Sequence, residues 1–164
     1  MPLRPAVAAF ALAALLVLVG CEPSAAARSI TGRAVVVDGD GVEIDGKKIR
    51  LHGIDAPEIG QYCKRADATR WRCGQYATVE LDRLVGGREL ACEVLDEDRY
   101  GRPVALCRLG DVDVAESMVR GGWALAYRRY SEKYVDAEDA ARAQRAGIWR
   151  GTFEKPWDWR ARAR

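Results

Sequence analysis

Five segments of the chain carry the β-branched and aliphatic residues of β-strands and are bounded by glycine, proline or aspartate, which predicts five strands. They are RAVVVD (33–38), GVEI (41–44), KKIRLHGI (47–54), RELACEVLD (88–96) and RPVALCRL (102–109). Asp45-Gly46 separates the second strand from the third and is a strong signal for a two-residue hairpin.

Three further segments have the apolar spacing of helices. The first, at 73–87, places Ala77, Leu81 and Leu84 on one stripe and stops at a pair of glycines. The second lies at 111–122, and the third at 131–147 is predicted to be capped by Ser131 and to end at Gly147. Residues 155–164 read as a basic tail that bears tryptophans. Five strands with a helix between the third and fourth predict an α+β fold, a five-stranded OB-fold barrel with three helices.

The N-terminus has a different character from the rest of the chain. Residues 1–21 contain one early arginine, an apolar run and Leu-Val-Gly-Cys, the layout of a secretory signal that ends at a lipidated Cys21. An ordinary signal cut near 24–29 is the alternative, and an uncleaved anchor is disfavoured because the apolar run is short for a membrane span. We therefore expect a signal peptide at 1–21, a tether at 22–30 and one domain at 31–164, exported to the cell envelope or secreted.

Composition adds little to this picture. The chain has 164 residues, 49% hydrophobic and 30% charged, which indicates a globular domain. A formal net charge of +2 is too small to indicate a polyanionic partner by itself, so local charge placement has to carry that argument.

Cysteine usage agrees with export. Without Cys21, four cysteines remain, an even number that allows three disulfide pairings. If the hairpin between the last two strands turns at Arg99-Tyr100, Cys92 faces Cys107, which leaves Cys63 to pair with Cys73. A zinc site is the alternative, but the chain has no C-x-x-C pair.

Acidic residues gather around the predicted Asp45-Gly46 hairpin. They are Asp38, Asp40, Asp55 and Glu58. Carboxylates repel one another and lose solvation when they are buried together, so such a cluster indicates a bound cation. With no cysteine or second histidine nearby, the donors suit a hard cation, Ca²⁺ or Mg²⁺. A solvated acidic loop is the alternative.

Arg50 lies on the strand that returns from the hairpin. A plain two-residue hairpin pairs Gly41 with Arg50 and puts Arg50 on the face opposite Asp40, so their meeting requires a bend or bulge at 39–41. Arg50 and, farther along, Arg102 offer planar forks for phosphate oxygens. Taken alone, Arg102 fits a surface ion pair with a neighbouring acid equally well. A cation, a carboxylate and two arginines together suit displacement at phosphorus.

Three motifs in order resemble the staphylococcal nuclease (thermonuclease) family. They are VVDGDGVEI (36–44), IRLHGIDAPE (49–58) and DRYGR (98–102), and the similarity extends from about Ala34 to Trp149. The resemblance implies an OB-fold and a calcium-dependent phosphodiesterase that acts on DNA and RNA and leaves 3′-phosphate ends.

The resemblance also implies roles for individual residues. Asp40 and Asp55 would bind calcium through their side chains and Ala56 through its carbonyl, with Asp38 close behind. Glu58 would orient or deprotonate the attacking water, and the two arginines, Arg50 and Arg102, would hold the phosphate. Tyr100 and Tyr127 would line the nucleotide pocket. Gly41 and Ala56 depart from the usual threonines, from which we expect a looser metal site at Gly41 and no effect at Ala56.

The leading hypothesis is therefore an exported, lipid-anchored, monomeric calcium-dependent nuclease whose only membrane contact is the lipid on Cys21. A non-catalytic OB-fold module that binds nucleic acid or a protein partner is the main rival, and a structural lipoprotein of the envelope is a third possibility.

Overall fold

A computed structural model describes residues 28–162 of the chain. The predicted signal peptide 1–21, the lipidation of Cys21 and residues 22–27 of the predicted tether lie outside the described residues and stay predictions. Between residues 28 and 162, no helix combines the length and the apolar character needed to cross a membrane.

The strands and helices of residues 28–162 follow the predicted order, with several short additions. The strands are β1 (Ser29–Arg33), β2 (Val35–Asp38), β3 (Gly41–Ile44), β4 (Lys47–Leu51), β5 (Ile54–Asp55), β6 (Cys63–Lys64), β7 (Arg70–Trp71), β8 (Glu89–Glu97), β9 (Pro103–Leu109), β10 (Val112–Asp113) and β11 (Leu125–Ala126). The helices are α1 (Cys73–Val85), α2 (Val114–Arg120), α3 (Val135–Ala143) and α4 (Pro156–Arg162), with a 3₁₀ turn at Gly147–Arg150.

The main sheet has the strand order β1-β8-β9-β4-β3-β2, with β10 added to β9. Neighbouring strands are antiparallel except β4 and β9, which run parallel. Only Ala34 separates β1 from β2, yet these two strands occupy opposite edges of that order. The sheet therefore curls back on itself, and the predicted α+β, OB-like fold is confirmed.

The hairpin between β3 and β4 follows from its two turn residues. Ile44 pairs with Lys47, and Asp45 and Gly46 both have positive φ, 50° and 75°. A two-residue turn of this kind matches the right-handed twist of the strands and favours the Asp-Gly sequence. The predicted register is confirmed, because Gly41 lies opposite Arg50.

Helix α1 covers the inside of the curled sheet. Ala77 and Leu81 are fully buried and Leu84 packs against the same cluster, as the predicted stripe requires. A second, smaller cluster lies beside the first and is built on Cys63, Cys73, Leu125 and Ile148, with Trp71, Trp149, Phe153 and Trp157 packed against it. This second cluster positions the C-terminal part of the chain.

Four local predictions need correction. Strand β1 begins at Ser29, so Ser29 and Ile30 pair with β8 and do not belong to a tether. Helix α3 begins at Val135 after Tyr134, and Ser131 does not cap it. Because Gly147 opens the 3₁₀ turn, α3 also ends earlier, at Ala143. The basic tail contains a fourth helix, α4, where three were expected.

Both predicted disulfides are present. Cys63 is bonded to Cys73, and this bridge closes the β6–β7 hairpin that follows Glu58. Cys92 is bonded to Cys107 across β8 and β9, where the two residues are direct partners. The register shifts between Val94 and Asp96, beyond the bridge, so the irregularity does not disturb the pairing of the cysteines.

Replacing Cys92 and Cys107 together by alanine should lower the free energy of unfolding by about 3 kcal/mol, the value expected for a loop of this length. The bridge joins residues 15 apart in sequence. Urea denaturation followed by tryptophan fluorescence measures the change. Since the double variant lacks the Cys92–Cys107 bridge, reductant should lower its denaturation midpoint less than that of the unaltered protein. An unchanged denaturation midpoint would show that the bridge does not stabilise the fold.

Candidate active site

Asp38 and Asp40 are brought together by the tight turn between β2 and β3. Strand β2 ends at Asp38, which pairs with Gly41, and the register of the two strands shifts between Val36 and Asp38. The Asp40 amide donates to Asp38 Oδ1 at 3.2 Å. Asp40 thus lies in the turn between β2 and β3 and not on a strand.

The Arg50 guanidinium joins the turn to the next acidic residue. Its Nη1 donates to Asp40 Oδ1 at 3.2 Å, and its Nη2 lies 3.0 Å from Asp40 Oδ2 and 2.7 Å from Asp55 Oδ1. Asp40 and Asp55 therefore share a single guanidinium nitrogen. The irregularity lies between Val36 and Asp38 and not at 39–41, where it was expected, and Asp40 meets Arg50 from the turn that follows.

Asp55 and Ala56 are held by the short strand β5. Asp55 pairs with Leu125 of β11, and its side chain is completely buried. The Ala56 amide donates to Asp40 Oδ2 at 3.1 Å, so the backbone after β5 is tied directly to the Asp40 carboxylate. These contacts fix the relative positions of the two acids.

Glu58 lies just beyond, at the mouth of the site. Its amide donates to Gln61 Oε1 at 3.2 Å, and the Gln61 amide returns a bond to the Glu58 carbonyl at 2.7 Å. A side chain at Gly74 would overlap that same carbonyl, so only glycine lets the start of α1 approach the Glu58 backbone. The Glu58 side chain is one-third exposed and can be reached from solvent.

Arg160 of α4 is the residue that the sequence interpretation missed. Its Nη1 donates to Asp55 Oδ1 at 3.0 Å and to Glu58 Oε1 at 2.6 Å, and its Nη2 donates to Asp55 Oδ2 at 2.8 Å. Arg160 lies in the stretch WDWRARAR, which was interpreted only as a basic tail. The available signal was a tryptophan three residues before an arginine, a spacing that places both on one face of a helix.

Apart from the buried Asp55, these groups line a pocket of about 880 Å³. Its walls also contain arginine and aromatic side chains and one histidine, namely His52, Tyr100, Arg102, Tyr127, Arg129, Tyr130 and Trp157. Tyr127 and Trp157 stack in parallel, with ring centroids 5.1 Å apart. The predicted pocket tyrosines, Tyr100 and Tyr127, thus line the same pocket as the acids.

Arg102 lies in this pocket wall but contacts a different acid. Its Nε and Nη2 lie 2.8 and 2.7 Å from Asp98 Oδ2, and its guanidinium is 5.8 Å from the centre of the Tyr100 ring. The ion pair that the sequence offered as the alternative for Arg102 is therefore present. Arg102 is 30% exposed and faces the same cavity as Glu58, so the pair with Asp98 holds it at the pocket wall.

The close packing of acids and arginines shifts the pKa values of the site residues. Burial raises the pKa of Asp40 to about 8; the Arg50 charge opposes this rise, and the charges of Asp38 and Asp55 add to it. Burial would lower the pKa of Arg160, but its hydrogen bonds to Asp55 and Glu58 raise that pKa above its usual value. The site therefore stabilises the positive charge of Arg160 and disfavours ionisation of the Asp40 carboxyl group.

Residues 48–151 match the model of the family described as staphylococcal nuclease homologue, a span that contains Arg50, Asp55, Glu58 and Arg102. The chain belongs to the staphylococcal nuclease family.

Relatives in this family come from bacteria, plants and fungi. A succinoglycan biosynthesis protein of Rhizobium meliloti is 37% identical over 146 residues, which cover 87% of this chain and 76% of the relative. A staphylococcal-like nuclease of Arabidopsis thaliana is 37% identical over 71% of this chain and 34% of its own length. A probable endonuclease of Schizophyllum commune is 29% identical over 62% of this chain and 39% of its own length. The matches thus span about a third of the plant and fungal relatives.

The donor atoms of this staphylococcal nuclease homologue fit a hard divalent cation. Within residues 28–162, no group of three or more His, Cys, Asp or Glu side chains is arranged as a ready-made metal site. However, Asp40 and Asp55 offer only oxygen donors and meet at one Arg50 nitrogen. The carboxylates of Asp38 and Glu58 lie close to these two acids and add further oxygen donors. Oxygen atoms are the ligands that a hard divalent cation prefers.

Gly41, where the resemblance led us to expect threonine, lies against Asp38. A Cβ atom at Gly41 would lie 2.6 Å from Asp38 Oδ1. A side chain there is accommodated only if the Asp38 carboxylate rotates away, and that carboxylate accepts the Asp40 amide. The small residue therefore lets Asp38 support the turn that carries Asp40.

Proposed function

We propose that this protein is a calcium-dependent phosphodiesterase that hydrolyses DNA and RNA with little sequence preference and leaves 3′-phosphate ends. Its membership of the staphylococcal nuclease family supports hydrolysis of nucleic acid, as do the nuclease and endonuclease names of the relatives. The calcium requirement and the product type rest on the chemistry of the pocket and on the resemblance of the motifs.

One observation carries the proposal. Asp40, Arg50 and Glu58 come from separate parts of a hairpin and its following turn and line one pocket with other arginines and aromatic rings. Asp55 is buried behind this pocket and accepts hydrogen bonds from Arg50 and Arg160. Burying acids such as Asp40 and Asp55 costs free energy. Buried acids beside an open pocket are therefore more typical of a functional site than of a purely structural hairpin.

The residues of the pocket divide the work of phosphodiester hydrolysis. Asp40 and Asp55, with the Ala56 carbonyl, would hold calcium, which when bound supplies positive charge against the phosphate. Glu58 accepts a proton from water as the water oxygen bonds to phosphorus and the bond to the 5′ oxygen breaks. The 5′ oxygen takes a proton from solvent and leaves as a hydroxyl group, and Glu58 returns its proton to solvent. Arg50 and Arg102 donate hydrogen bonds to the phosphate oxygens, where negative charge grows.

The aromatic side chains serve the bases of the substrate. Tyr100 is 68% exposed at the tip of the β8–β9 hairpin, and Tyr127 lines the same pocket. Bases of any identity stack on aromatic rings, so this arrangement favours single strands and gives little sequence preference. Arg102 and Arg129 also line the pocket and add positive charge for the phosphate backbone.

The purified protein should cut single-stranded DNA and RNA in the presence of calcium, and EDTA should stop the reaction until calcium is restored. Denaturing gel electrophoresis measures the cutting. The product ends are checked with a polymerase, which should extend the fragments only after phosphatase has removed the 3′-phosphate.

The non-catalytic rival predicts another outcome. A binding module of the same fold would be retained on a column of immobilised DNA but would leave the DNA uncut at every calcium concentration. Cutting that persists in EDTA would contradict the metal requirement, and fragments that are extended without phosphatase would contradict the product type.

A further inference from the structure

Arg160 occupies the carboxylate oxygens that a divalent cation would need. Its fork binds both oxygens of Asp55, at 3.0 and 2.8 Å, and the same Nη1 reaches Glu58 at 2.6 Å. Asp55 Oδ1 also accepts a bond from Arg50. Both Asp55 oxygens are therefore engaged by guanidinium groups, and Glu58 is engaged by the one that comes from α4.

The segment around Arg160 is anchored, so these contacts do not depend on a freely moving side chain. Trp157 stacks on Tyr127, and Pro156 is buried. Just before α4, the Glu154 carbonyl accepts a bond from the Gln61 side chain at 2.6 Å. Gln61 in turn binds the Glu58 backbone, so the start of α4 and the Glu58 turn are held by the same glutamine.

We propose that Arg160 is an internal competitor for the divalent cation and sets how tightly the site holds it. This inference rests on the proposed function, because it concerns the cation that Asp40 and Asp55 would bind. A cation on Asp55 repels the Arg160 charge and takes oxygen lone pairs that now accept its N–H groups. Binding therefore requires Arg160 to release Asp55, and the affinity is lowered by the free energy of the lost contacts.

The competing residue is close to the substrate pocket. Arg160 and Trp157 are three residues apart on α4, and Trp157 stacks on Tyr127, the residue expected to stack a base. One short helix therefore carries both the arginine that competes with the cation and a ring of the pocket wall.

Isothermal titration calorimetry of the full chain with calcium tests the competition. Replacing Arg160 by glutamine should tighten calcium binding by about tenfold or more, since hydrogen bonds between charged groups that calcium no longer has to break are worth that much. Arg162→Gln is the matched control, because Arg162 lies on the same helix, carries the same charge and pairs only with exposed Glu154 among the described residues. Its affinity should equal that of the unaltered protein.

The outcomes separate this inference from the proposed function. Equal or weaker calcium binding by Arg160→Gln than by the unaltered protein overturns the competition but leaves the metal site standing. If neither protein binds calcium, the metal requirement and the competition both fail.

A second readout covers the case in which Arg160→Gln is unstable without a cation. Thermal unfolding should show a larger gain from calcium over EDTA in Arg160→Gln than in Arg162→Gln. Arg160→Lys keeps the charge without the fork and should bind calcium with intermediate affinity. If Arg160→Gln does not fold, Arg160→Lys decides, because calcium binding no tighter than in the unaltered protein overturns the competition.

Discussion

Replacing Glu58 by glutamine should lower the rate of DNA hydrolysis by about 10²–10³-fold, the usual effect of removing a group that accepts a proton in the transition state. Glutamine has nearly the same shape and keeps an oxygen that can accept the bond from Arg160, now made by Glu58 Oε1. It cannot take a proton from water. The initial rate of cutting at saturating calcium measures the loss.

The control for this prediction is Glu154→Gln. Glu154 is also paired with an arginine, Arg162, but does not line the pocket. The Glu154→Gln variant should cut DNA at the rate of the unaltered protein. Both variants should have the unfolding temperature of the unaltered protein. Full activity in Glu58→Gln would remove Glu58 from the chemistry and leave the proton without an acceptor among the assigned residues.

Replacing Arg50 by lysine should lower the rate by about 10²-fold and the free energy of unfolding by about 1–3 kcal/mol. Lysine keeps the charge but has one nitrogen in place of the fork. It cannot add the second contact that Arg50 Nη1 makes with Asp40 Oδ1, nor offer two parallel hydrogen bonds to a phosphate. Cutting assays and urea denaturation measure the two effects.

Arg108→Lys provides the comparison for Arg50→Lys. Arg108 lies on β9, the strand next to β4 in the same sheet, but its side chain is exposed and donates to the Asp111 carbonyl. Its replacement should change neither rate nor stability measurably. If Arg50→Lys kept full activity while losing stability, Arg50 would be a structural link between the acids and not a phosphate-binding group.

Much of the candidate site could be predicted because it is local in sequence. Asp38, Asp40, Arg50, Asp55 and Glu58 lie within 21 residues, and an Asp-Gly hairpin fixes how that stretch folds back. The sequence also indicated that a plain hairpin register would put Arg50 on the face opposite Asp40, so that a bend or bulge near the glycines at 39 and 41 was expected. The structure differs in detail, because Asp40 lies in a turn preceded by a register shift.

The disulfides were predictable for a similar reason. Cys92 and Cys107 belong to one hairpin, so a turn between them sets their pairing, and the remaining two cysteines had only each other. The failed predictions lie where local signals compete with packing. Ser131 has the side chain of a helix cap, but Tyr134 is drawn into the core and α3 begins after it.

The sequence alone determined the order of strands and helices along the chain, the paired cysteines and the acidic hairpin, since each depends on periodicity or turn chemistry within a few residues. Only the tertiary structure decided that Arg160 donates hydrogen bonds to Asp55, 105 residues away, and that Trp157 stacks on Tyr127. The physical reason is that α4 is positioned by a second apolar cluster assembled from distant segments. The sequence of a short basic tail does not specify which residues the tail contacts, so these contacts depend on long-range packing.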